Sequence, residues 1–337
     1  MRYLFRCDGN SEIGLGHVIR CLNISHEICR NNIQATIYFL VENSYCRKVI
    51  EDRGFCVVPL KAGNYEKDFL AVIDDLSINV LVLDIRNDID ANFIKKVPTR
   101  VLVVSIDDPE DKIEACDVVF YPPIPQISKT PFKKNLKPKI LVGWNYVSIA
   151  QQFKSILNNG RKKSRILITC GSSDPNGYTE MILGVCLRCL HNVAIDVVLG
   201  ANYFKNNSKF ILAKYDNMNV EFHTNVDNLE YYLINVDFAI LTYGQTAFEA
   251  FCTGTPSVLL PISEDHYQSS LSISAEGFGL SVNYPVELID VENKLVAMMS
   301  SFKKVHSQIA KSTEFEEIRK GSISDVINIC FEEKGSY

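Results

Sequence analysis

Residues 5–22 read FRCDGNSEIGLGHVIRCL. Tyr3 to Arg6, where this stretch begins, is a short apolar run with the character of a strand. Gly14 and Gly16 interrupt the chain, and from about His17 to Arg30 the apolar residues recur at helical spacing. A strand, a glycine loop and a helix in succession make the first half of a βα unit. Free amides and the positive end of the helix dipole at such a start favour an anion or a developing oxyanion. The loop is not the dinucleotide-binding fingerprint, because its third glycine is missing and Ile19 and Arg20 stand in that region. His17 falls in the first helical turn, where the dipole disfavours imidazolium. Two readings are open there: a neutral imidazole ready to accept a proton, or a capping histidine on a tight turn.

Working outward, the same alternation continues. Strands are expected at Gln34–Leu40, Cys56–Pro59, Asn79–Asp84, Arg100–Ile106 and Val118–Tyr121, the last of the series, with a helix around Tyr45–Arg53. Near-continuous apolar runs of this length, separated by helices, suit a parallel sheet covered on both faces. From Pro122 to about Pro138 the chain is rich in Pro, Lys and Ser, and loop or interdomain material is expected from there to about Lys163. The alternation then restarts with strands at Ser164–Cys170, Ala194–Leu199, Asn219–His223, Phe238–Thr242 and Pro256–Leu260. Helices are expected at Gly177–Cys189, at Gln245–Thr253 and from Val286 onward. The expected fold is α/β, with two Rossmann-like domains facing a cleft: residues 1–145, a linker 146–163, and residues 164–337.

Bulk composition excludes several classes. Hydrophobic residues make up 47% and charged residues 22%, enough apolar material for two ordinary cores. A net charge of −5 argues against a general nucleic-acid binder. The basic runs at Lys133, Lys134, Lys137, Lys139 and at Arg161, Lys162, Lys163 read as solvated surface. No apolar stretch is long enough for a membrane span, and the first residues lack a signal-peptide core, so a cytoplasmic protein is expected. Eleven scattered cysteines point to buried thiols in a reducing compartment. The Cys186/Cys189 pair has no partner pair at zinc spacing and reads as helix packing.

Open parallel sheets bind ligands at the carboxyl ends of their strands. Besides the His17 loop, four segments stand there. Gly171, Ser172, Ser173, Asp174, Pro175 and Asn176 allow close approach of a ligand or cap the next helix. Gly244, Gln245 and Thr246 combine a turn, free amides, a hydroxyl and a helix start, which suits a phosphate. Glu249 lies one turn later on the same side as Thr246, either near a ribose or as an exposed helical glutamate. Ser263, Glu264, Asp265 and His266 form a polar strand end before a helix. Asp84 with Arg86, and Asp107 with Asp108, end strands of the first domain; the adjacent pair is expected to diverge into loop roles.

Taken together these segments resemble one family. Phe5–Leu22, Gly143–Tyr146, ILITCGSSDPNG at Ile166–Gly177 and Thr242–Pro256 look like the UDP-2,4-diacetamido-2,4,6-trideoxy-β-L-altropyranose hydrolases of pseudaminic acid biosynthesis and their spore-coat polysaccharide relatives. The later motifs are shared with the wider glycosyltransferase-B (GT-B) set. The resemblance implies hydrolysis of a UDP-linked amino sugar with inversion, without metal or cofactor. His17 would take or orient the proton of water. The diphosphate would rest on Gly244, Gln245 and Thr246, with Gly171 and Ser172 beside it and the ribose on Glu249. Gly14, Gly16, Arg20, Asp84, Arg86, Asp265 and His266 would line the sugar. The chain departs from the family at Arg86, where a tyrosine is usual, at Asp265 and His266 of the Glu-Asn-Gln motif, and at Tyr243, the first of two paired glycines. These departures point to an altered sugar pocket. They leave open an inverting UDP-sugar glycosyltransferase of cell-surface polysaccharide synthesis, with Lys133–Lys139 facing a lipid-linked acceptor, or a non-catalytic nucleotide-sugar-binding subunit.

Overall fold

A computed structural model describes residues 1–9, 14–59, 65–86, 89–124, 127, 138–206, 210–215 and 218–335. Asn10–Ile13 of the first loop, and Lys133, Lys134 and Lys137 of the basic run, lie outside the described residues. The chain divides into two compact units. One comprises Met1–Pro123, Lys129–Ala150 and Lys320–Tyr337, the other Ile124–Ser128 and Gln151–Arg319.

The first unit is built on seven strands: β1 Arg2–Cys7, β2 Thr36–Leu40, β3 Cys56–Val57, β4 Val80–Asp84, β5 Leu102–Ile106, β6 Val118–Tyr121 and β7 Lys139–Val142. They pair in parallel in the order β3-β2-β1-β4-β5-β6-β7. All five residues of β4 and of β5 are buried, which explains their unbroken apolar sequences. The second unit repeats the pattern with β8 Arg165–Thr169, β9 Ala194–Leu199, β10 Val220–Thr224, β11 Phe238–Thr242, β12 Ser257–Leu260 and β13 Gly279–Ser281. Its order is β10-β9-β8-β11-β12-β13, again parallel. In each sheet the strand order reverses once, between β1 and β4 and between β8 and β11. Those are the topological switch points at which open α/β sheets bind ligands.

Two features depart from the sequence expectation. β7 lies in the stretch expected to be loop and linker. It is a half-exposed edge strand, so it lacks the apolar run that marks a buried one. The closing helix Ile323–Gly335 belongs with the first unit, although its sequence follows the second without a break. Ile323, Ile327 and Cys330 are buried in one core with Tyr3, Phe5 and Val18. Tyr3 Oη donates to Asn328 Oδ1 at 2.6 Å, and Lys334 Nζ reaches Asp117 at 2.6 Å.

No helix among the described residues is long and apolar enough to cross a membrane. The cysteines, Cys186 and Cys189 included, are free thiols.

Candidate functional site

The switch point of the first unit holds a charged network. The helix Gly16–Asn31 starts after the β1 loop, and Leu15 at its cap gives no side-chain cap bond. His17 does not cap either. Its Nδ1 lies 2.7 Å from Asp84 Oδ1 at the end of β4. Arg20, one turn on, donates through Nη2 to Asp84 Oδ1 at 2.6 Å and through Nε to Oδ2 at 2.7 Å. Its Nη1 donates to Asp107 Oδ2 at 2.9 Å. The thiol of Cys21 adds a weak bond to Asp84 at 3.7 Å. Burial alone would raise the Asp84 carboxyl, but Arg20 first and His17 next, by charge and hydrogen bond, bring it well below the usual carboxylate range.

An ionised Asp84 can only accept, so the proton of the short contact sits on His17 Nδ1. A guanidinium can only donate, so the approach of Arg20 Nη2 to Nδ1 at 3.2 Å is contact rather than bond. The other ring nitrogen, Nε2, has no hydrogen-bond partner among the described residues. The His17 side chain is 21% exposed and that of Asp84 1%, so the ring reaches solvent while the carboxylate behind it does not.

Neighbouring side chains shape this end of the sheet. Arg6, 1% exposed, binds the Leu40 carbonyl, Asp8, Glu42 and Tyr65, and so stitches the ends of β1 and β2 together. A charged residue inside an apolar strand was its only signal in the sequence. Asp107 and Asp108 diverge as expected of adjacent residues. Asp107 turns to Arg20, whereas Asp108 pairs with the buried Lys112 at 3.1 Å, and Lys112 Nζ also donates to the Ile85 carbonyl at 2.7 Å. Burial pushes the Asp108 carboxyl up, and the Glu110 amide and Lys112 oppose this. Gly14 and Gly16 face open space, and Arg86 is exposed, outside the network.

The switch point of the second unit differs in kind. Gly171 has φ +80°, and a Cβ there would lie 3.6 Å from Thr242 Oγ1 at the end of β11. Gly200 lets the loop after β9 pack against Ser172: a Cβ on it would fall 2.4 Å from the Ser172 Cα. The sequence reading passed over this glycine. Asp174 is a helix cap, accepting from the Tyr178 and Thr179 amides at 2.8 Å each. Gly244 opens the helix Gln245–Cys252 and gives it no side-chain cap bond, and the Ala247 amide donates to the Gly244 carbonyl at 3.0 Å. Glu249 is not an exposed helical glutamate. It is 5% exposed, with Gln245 Nε2 at 3.4 Å, and burial pushes its carboxyl up to about 7, with the Gln245 bond opposing and Glu230 adding. Asp265 is exposed in the first turn of Glu264–Ala275, whose cap is Ser263. His266 packs its ring edge-on against Tyr243 at 5.7 Å, so two of the family departures touch each other.

Among the described residues one group has metal-ligand spacing: Asp196, Glu221 and His223. Arg165 already bridges Asp196 at 2.7 Å and Glu221 at 3.2 Å, so the group is a closed ion-pair cluster on β8, β9 and β10.

No protein-family model matches the chain. It is 27% identical over 273 residues to the uncharacterized protein MJ1062 of Methanocaldococcus jannaschii, covering 77% of this chain and 55% of that one. The chain therefore spans about half the length of this curated relative. Among solved structures it resembles the spinosyn forosaminyltransferase SpnP, with a TM-score of 0.65 and 14% identity over 99% of each chain. The spinosyn rhamnosyltransferase SpnG complexed with thymidine diphosphate gives 0.65 and 11%, over 98% of this chain and 100% of that one. MurG of Acinetobacter baumannii gives 0.63 and 12%, also over 98% and 100%. The fold is that of the GT-B glycosyltransferases. At these identities the likeness is one of architecture: two Rossmann-like domains along nearly the whole chain.

Proposed function

We propose that the chain is a nucleotide-sugar-utilising enzyme of the glycosyltransferase type, with His17 as general base. The observation that carries this reading is the His17–Asp84 pair at the first switch point, where an ionised Asp84 holds the proton of Nδ1; in the neutral ring the lone pair is then on Nε2. In the step it would perform, Nε2 takes the proton of an incoming hydroxyl as its oxygen attacks the anomeric carbon. The C1–O bond breaks on the opposite face, and its electrons leave on the β-phosphate of the nucleoside diphosphate. A positioned base of this kind contributes roughly 10²–10⁴-fold.

The second unit is assigned the nucleotide. The helix start at Gly244, Gln245 and Thr246 suits a diphosphate, and amides fixed before reaction stabilise the charge that develops on the leaving group. The buried Glu249 suits ribose hydroxyls, which would give it the donors it lacks. Gly171 and Ser172 are assigned the space beside the diphosphate. A pyrimidine nucleoside diphosphate is favoured because SpnG is described with thymidine diphosphate. Charge matching by amides calls for no metal and no cofactor. Gly14, Gly16, Arg86, Asp265 and His266 are assigned to the sugar or the acceptor.

The spinosyn forosaminyltransferase and rhamnosyltransferase among the fold relatives favour transfer of the sugar to an acceptor other than water. A second reading has water as the nucleophile and a UDP-linked 2,4-diacetamido-2,4,6-trideoxy sugar as substrate; the motif at Phe5–Leu22 favours it. Release of UDP from donor alone, and from donor with acceptor, separates the two. A hydrolase turns over donor alone, and a transferase needs the acceptor. UDP binding without turnover in either assay, from a panel of donors, would reduce the chain to a binding subunit.

A further inference from the structure

Arg20 is spent on protein carboxylates. Three of its five donors go to Asp84 and Asp107, at 2.6–2.9 Å, and its own carbonyl accepts from Ser148 Oγ at 3.1 Å. Asp107 makes its contact from a left-handed backbone, φ 53°, which an L side chain adopts at a cost. A residue so consumed has little left for a sugar. Its work is on the carboxylate behind His17.

We propose that Arg20, braced by Asp107, is a positioning residue that keeps His17 in the neutral tautomer with a bare Nε2. This rests on the reading of His17 as the base. A buried carboxylate left alone beside an imidazole has two ways to relieve its charge. It can take a proton itself and then donate to Nδ1, which moves the imidazole proton to Nε2. It can instead drive the ring to imidazolium, which also protonates Nε2. Either way the lone pair that does the chemistry is lost. The permanent charge of Arg20 removes the reason for both, and its planar fork engages both carboxylate oxygens at once, which an ammonium cannot do.

The groups around the ring are consistent with this division of labour. Among the described residues, Asp84 faces it from the end of β4 and Arg20 from its own helix, while Cys21 touches Asp84 and Asp107, just after β5, touches Arg20. The Cys21 thiol, held well above its ordinary range by burial, is neutral. Arg20 therefore supplies the one positive charge among these groups.

The test is nitrogen NMR of the full chain with ¹⁵N-labelled histidine, at about pH 8, above the ordinary imidazole range. The His17 signal is assigned by its disappearance in His17→Ala. Wild type is expected to show an unprotonated Nε2. Arg20→Gln is expected to show Nε2 protonated and, in turnover, a kcat lower by on the order of 10²-fold with an unchanged KM for the donor. Arg20→Lys, with the charge but not the fork, is expected to fall between the two. An unprotonated Nε2 in folded Arg20→Gln overturns the proposal. If that variant does not fold, Arg20→Lys decides, and a wild-type Nε2 signal there overturns it. The NMR result does not depend on any substrate. The expected shift in a protein that turns over no nucleotide sugar would sink the functional reading and leave Arg20 in its role.

Discussion

The two sheets share one strand order, and each offers its switch point, yet what they put there is opposite. In the first unit the switch point is saturated. His17, Arg20, Asp84 and Asp107 are knit by contacts of 2.6–2.9 Å, and one guanidinium serves both carboxylates. In the second it is underfilled with charge, holding glycines, a helix start whose cap residue gives no side-chain bond, and a buried acid whose carboxyl is pushed up to about 7. A saturated network fixes a proton at a chosen atom, and an underfilled one leaves bonds for a ligand to make. On the proposed reading, the same topology serves chemistry in one unit and binding in the other.

The largest effect that could break this contrast is His17→Ala. Turnover is expected to fall roughly 10²–10⁴-fold while UDP affinity stays at the wild-type level. Parallel rates and calorimetry check this, and a loss of UDP affinity would erase the division.

Next is Glu249→Ala. If ribose hydroxyls complete that acid, UDP binding should weaken by roughly 1–3 kcal/mol with little change in kcat. An unchanged dissociation constant would make Glu249 merely buried.

Glu249→Gln sharpens the contrast in the ligand-free protein. The folded carboxyl holds its proton up to about pH 7, whereas the unfolded one releases it near 4.5. Between those values the folded state binds more protons, so wild-type stability is lost as pH rises through the window. Glutamine has no such loss, and its Tm advantage is expected to widen between about pH 5 and about pH 8, by up to ~3 kcal/mol in stability. A constant difference in thermal melts would show that Glu249 is charged throughout.

The smallest effect concerns the Tyr243–His266 contact. His266→Ala should cost about 0.5–1.5 kcal/mol, and a double-mutant cycle with Tyr243→Phe should show little coupling if the rings alone make the contact.

Much of this was legible before any coordinates. Buried parallel strands announce themselves, as VLVLD at β4 and LVVSI at β5 did, because burial on both faces leaves no room for alternation. β7 and β13 were silent, being short and, for β7, half-exposed. His17 was visible from its glycine loop. The consumption of Asp84 by His17 and Arg20 was not, because those contacts span 67 and 64 residues and leave no local pattern. Glu249 was found by spacing, but its burial depends on tertiary neighbours that no helical count supplies.

The closing helix has a consequence for how the chain is made. Ile327 and Cys330 complete the core that holds Tyr3 and Phe5, on the strand that leads to the His17 loop. During synthesis, the second unit has all its residues before the first can be finished. The earliest strands must wait, with part of their apolar cover missing, until the final helix has left the ribosome.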